Sequence, residues 1–96
     1  MPDANESRAE IEPSPGNRAP TFGERTVRLW FNPSGNREVA KIKEYTAALI
    51  DLCDAMRGPR SATESGRERS RLASLAVTAY EEAAMWAVKA ATTGYQ

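Results

Sequence analysis

The stretch that most limits how this chain can fold is "RERSRLASLAVTAYEEAAMWAVKAAT", residues 67–92, which contains neither glycine nor proline. Alanine and straight-chain residues favour helix, and nothing in this run breaks one. A helix here carries two apolar seams. Leu72, Ala76, Ala79, Ala83, Trp86 and Ala90 form one; Val77, Tyr80, Ala84 and Val88 form the other. Only Arg71, Ser74, Thr78, Glu81, Lys89 and Thr92 make a polar stripe, and Met85 interrupts it. One partner helix can hide one seam; the second needs another copy of the chain.

The partner helix lies upstream. Val39, Ile42, Thr46, Leu49, Cys53 and Met56 recur at helical spacing, and Ile50 and Leu52 widen that face. Ser34 or Asn36 can cap its start, and Gly58 and Pro59 can stop it. Ser65 with Glu68 has capping-box spacing for the second helix, and Ser61 with Glu64 repeats it one turn earlier. The pattern therefore predicts an all-α protein: an antiparallel helical hairpin, with helices at about 36–56 and 65–93, preceded by a short N-terminal segment. A core this small, with an apolar face left over, predicts a compact homo-oligomer.

Residues 1–24 hold four of the six prolines and, as large apolar residues, only Ile11 and Phe22. That composition predicts a disordered or extended tail, with residues 25–96 as the helical domain. Within 25–32, "ERTVRLWF", Val27, Leu29 and Phe31 alternate with Thr26, Arg28 and Trp30, a pattern that permits a short strand or equally a helical turn.

Several function classes fall away. The 96 residues contain no histidine and one cysteine, so the usual general base, zinc sites and iron–sulfur sites lack their ligands. Glu81 and Glu82 are neighbours on a helix and diverge, so no catalytic constellation emerges; no enzyme activity, cofactor or metal is expected. Cys53 reads as a small buried apolar residue. Thirteen basic residues balance thirteen acidic ones, which disfavours duplex nucleic acid as a partner. No run is long and apolar enough for a membrane span or a signal peptide, so an intracellular protein is expected.

What remains is a local site. Trp30 and Phe31 stand beside an Asn32–Pro33 turn just before the first helix, and Lys41 and Lys43 follow. Arg67, Arg69 and Arg71 open the second helix, about 30 Å away in one hairpin, within reach only from another subunit. Aromatics plus cations suit a flat-ringed anionic ligand. The competing reading has Trp30 and Phe31 packed inside the subunit and the arginines on a solvated face. It makes the protein a ligand-free helical oligomeric structural or interaction module.

The order "WFNP", "IKEY", "LIDLCDAM", "SGRERSRLASLAVTAYEEAAMWAVKAAT" resembles the phage anti-CBASS cyclic-nucleotide sponges and the helical part of the related Thoeris anti-defence sponges. The resemblance covers residues 28–93; its most characteristic piece is the basic-Glu-x-Ser start, mid-helix Glu and Met-Trp-Ala patch of the second helix. It implies a homo-oligomer, usually a hexamer, acting in the cytoplasm of the infected bacterial host. Such proteins sequester cyclic di- or trinucleotides such as cGAMP without cleaving them. It further implies that Phe31 stacks on a base, that Asn32 and Pro33 shape the pocket wall and that Lys43 pairs with a phosphate. Arg67 and Arg69 would reach in from a neighbouring subunit, and Trp30 lies beside the stacking ring. The family turn often reads Tyr-His-x-Pro, so Phe31–Asn32–Pro33 lacks its hydroxyl and imidazole.

Overall fold

The computed structural model describes residues 18–57 and 63–94. The first 17 residues of the expected tail, with Ile11, and the Gly58–Pro59 stop lie outside them. Among the described residues there are three helices and no strand: α1, Phe22–Val27; α2, Arg37–Met56; and α3, Glu64–Thr92.

Helix α1 replaces the alternative of a strand at 25–32 and crosses the expected boundary after residue 24. Its cause lies upstream of the alternating stretch. The Glu24 amide donates to the Thr21 hydroxyl at 3.1 Å, and the Thr21 amide donates to the Glu24 carboxylate at 2.9 Å, a reciprocal capping box. Arg18 closes the carboxylate from outside through two bonds of 2.8 and 3.1 Å. Bonding to Arg18 chiefly, and then to Thr21, holds the Glu24 carboxyl below its ordinary pKa against the opposing effect of burial, while Glu24 raises that of Arg18.

Helix α2 starts where Asn36 accepts from the Val39 amide at 3.0 Å, as one of the two expected caps. Helix α3 is capped instead by Thr63, whose hydroxyl accepts from the Gly66 amide at 3.1 Å. Ser65 does not do so: it sits inside the first turn, where its own amide is one of the donors needing a cap, and Ser61 lies outside the described residues. At the other end Gly94 takes the left-handed conformation, φ 93°, that glycine tolerates best.

α2 and α3 run antiparallel. At one end the Asn36 side chain donates to the Ala91 carbonyl at 3.4 Å; at the other Arg57 donates to the Ser74 hydroxyl at 3.1 Å. Their shared core is Ala47, Ile50 and Cys53 against Ala73 and Val77, with Val27 of α1 completing it. Ile50 is fully buried, worth about 1.5–3 kcal/mol relative to exposure. The buried stripe of α2 thus centres on Ile50 and includes Ala47, while Leu49 and Met56, expected inside, face outward.

Glycine explains that rotation. The Gly23 amide donates to Asp51 at 2.7 Å, and a Cβ at position 23 would overlap the Ala47 carbonyl oxygen. Backbone-to-backbone contact lets α1 lie directly on α2, bringing Phe22 and Leu29 onto the core. Arg57 then covers Phe22, its guanidinium carbon 5.3 Å from the ring centre, and also pairs with Asp54 at 2.7 Å.

On α3 the two seams part company. Ala73, Val77 and Ala84 are buried, and Tyr80 and Val88 half-buried. Leu72 and Trp86 on the other seam are 51% and 56% exposed, and Leu75 beside them is exposed as well.

Candidate ligand-binding site

The loop from Arg28 to Asn36 joins α1 to α2 and carries most of the expected site residues. It begins with a left-handed turn at Arg28, φ 55°. For a non-glycine residue that conformation costs about 1–2 kcal/mol. Lys43, in the second turn of α2, holds the turn in place: its ammonium donates to the Arg28 carbonyl at 3.0 Å and the Phe31 carbonyl at 2.5 Å.

Phe31 is consequently presented rather than buried. Its side is 43% exposed; the Arg28 guanidinium carbon lies 4.3 Å from the ring centre and the Lys43 ammonium 5.5 Å. Both distances fall within cation–π range. Asn32 ties the turn internally, donating to the Asn36 carbonyl at 2.8 Å and accepting from the Asn36 amide at 3.3 Å. Gly35, at φ 66°, lets the chain reverse, and Pro33 stands exposed at the tip. Trp30 is half-buried with the Arg18 guanidinium carbon 6.0 Å from its ring centre. Lys41 points elsewhere, 6.0 Å from the Tyr45 ring.

Phe31 and Lys43 are therefore in contact, and Trp30, Asn32 and Pro33 share the same loop. Arg67 and Arg69 lie apart from these residues within the protomer. They lie at the far end of α3, which rises about 36 Å between Arg67 and Ala91, the residue beside Asn36. Arg69 borders an apolar groove of about 560 Å³ floored by Cys53, Met56, Leu72 and Ala76. Nearby Arg71 pairs with Glu68 at 2.7 Å on the surface, and this pairing draws the Glu68 carboxyl below its ordinary pKa.

A second groove, about 550 Å³, has Lys43 on its wall. It runs between α1 and the middle of α3, past Thr26, Thr78, Glu81 and Glu82. Sequence reasoning missed both Arg28 and this groove. Nothing in "TVRLWF" signals a left-handed arginine, and the groove exists only because α1 lies across the hairpin.

The described residues form a small helical hairpin that presents an exposed aromatic flanked by two cations and leaves one face uncovered. The model of the Acb2/Tad1 hairpin domain matches residues 24–92, most of the chain. The chain belongs to that family, the phage anti-CBASS and anti-Thoeris cyclic-nucleotide sponges, whose general role is to sequester cyclic nucleotides. No curated protein and no solved structure matches the chain. Among the described residues no helix is long and apolar enough to cross a membrane.

Proposed function

We propose that this protein binds a cyclic oligonucleotide second messenger, a dinucleotide such as cGAMP or a cyclic trinucleotide, and withholds it from its receptor without cleaving it. The observation that carries this reading is Phe31, exposed and flanked by Arg28 and Lys43. A base stacks on the open ring and a phosphate meets the cations. Asn32 and Pro33 form the wall, with Trp30 behind them. Arg67 and Arg69 close the pocket from a neighbouring subunit of a homo-oligomer, a hexamer, acting in the cytoplasm of the infected host. The zero net charge fits a small ligand better than duplex nucleic acid.

The competing reading, a ligand-free structural or interaction module, draws on the open face of α3. It calls for Trp30 and Phe31 inside the subunit, and the exposure of Phe31 speaks against it.

Isothermal titration with cyclic di- and trinucleotides, followed by chromatography of the released ligand, tests the proposal. Intact ligand and micromolar or tighter binding are expected. Lys43→Ala should weaken binding by about ten- to a hundredfold, the range of a charge-assisted hydrogen bond, and flatten its salt dependence. Hydrolysed ligand, or an affinity indifferent to Lys43, would defeat the proposal.

A further inference from the structure

The groove beside Lys43 has an unbalanced set of hydrogen-bonding groups. The Thr26 hydroxyl already donates to the Phe22 carbonyl at 2.8 Å, and that of Thr78 to the Ser74 carbonyl at 3.3 Å. A hydroxyl that has spent its proton offers a ligand only acceptor lone pairs. Glu81 and Glu82 are acceptors too, and Glu82 is engaged by the Trp86 indole N–H at 3.4 Å. No hydrogen bond or ion pair occupies the exposed Glu81 carboxylate among the described residues. Among the described residues on the wall, Lys43 is the one cationic side chain. Val27, Met85 and Val88 supply apolar surface between these polar groups.

Such a groove fits a flat group that brings two adjacent donors on one edge and an anion at its other end. We infer that it reads a guanine base of the bound cyclic nucleotide, with Glu81 accepting from the N1–H and N2–H₂ of its Watson–Crick edge. This rests on the sequestration reading above. Lys43 joins the two halves: its ammonium lies 5.5 Å from the Phe31 ring centre and it lines the groove. A phosphate at Lys43 would leave one base on Phe31 and direct the other toward Glu81. Adenine fits poorly there, because its N1 acceptor would face a carboxylate with no proton between them, an uncompensated polar contact. A 550 Å³ groove is within the ordinary size of a small-molecule site. Glu81 also stands about 180° around α3 from Leu72, on the side away from that part of the open seam.

The test is titration of wild type and Glu81→Gln with cyclic di-GMP and cyclic di-AMP, with circular dichroism to confirm that both proteins are folded. The wild type should prefer cyclic di-GMP by about tenfold or more, the worth of a bidentate base contact. Glu81→Gln should remove that preference without weakening cyclic di-AMP, since the amide can donate to adenine N1. Equal wild-type affinities, or a loss shared by both ligands in the variant, would overturn guanine reading while leaving sequestration intact. Absence of binding by any cyclic nucleotide would remove both.

Discussion

The two seams of α3 share a helix and a composition rich in alanine, yet they have opposite fates. Ala73, Val77 and Ala84 are sealed against α2 and α1, whereas Leu72, Leu75 and Trp86 remain open to solvent. The difference is one of partners, not of hydrophobicity. Both seams mix alanine with larger residues: Tyr80 and Val88 lie on the covered seam, and Ala79, Ala83 and Ala90 on the open one. Apolarity says that a face can be covered; the position of α1 and α2 around α3 decides which face is covered within a protomer.

The sharpest way to break this contrast is to mutate both seams in matched fashion. Ile50→Ala, beneath the covered seam, should lower stability by about 4 kcal/mol in urea denaturation, since it empties a fully buried site. Leu72→Ala should change dilute-protomer stability by less than about 0.5 kcal/mol. Equal losses would mean that the seams are not distinct in the folded protomer.

A smaller effect is expected at Gly23. Gly23→Ala places a Cβ against the Ala47 carbonyl, a backbone group that cannot retreat cheaply, and should cost about 1–3 kcal/mol by overpacking. Thermal denaturation would measure it; a neutral substitution would show that α1 does not depend on close approach.

Next comes the capping box. The Glu24 carboxyl titrates below its ordinary value in the folded chain. Its contribution is therefore fully present above the unfolded-state pKa and fades as pH falls through the lower folded-state pKa. Glu24→Gln should cost about 1 kcal/mol at neutral pH, and wild type and variant should converge in acid. Parallel stability curves across that range would remove the carboxylate from the account.

Smallest for the protomer, and most telling for assembly, is Leu75→Glu. Helical content should be unchanged, while sedimentation should shift toward lower mass. A wild type that already sediments as a lone protomer at working concentration would sink the expected assembly.

The long helices were legible because their apolar periodicity extends over five turns or more, so errors at single positions average out. Helix α1 was not legible. Alternation from Thr26 to Phe31 fits a strand as well as a turn, and the deciding contacts reach from Thr21 to Glu24 and from Gly23 to Asp51. Ile50 was placed at the edge of the α2 stripe and proves its centre, because α1 adds cover on that side. Phe31 and Lys43 could be picked out by residue type and position. Arg28 could not, since its placement follows from two carbonyls gathered by a lysine fifteen residues later.

One consequence follows from the way the Arg28–Asn36 loop is anchored. Its upstream end hangs from α1, pinned to α2 by Gly23 and Asp51, and its downstream end is pinned to α3 by Asn36. Lys43 and Asn32 fasten the middle. The loop that presents Phe31 is thus preorganised: if it captures a ligand as proposed, backbone freedom lost in folding need not be lost again, which favours slow release.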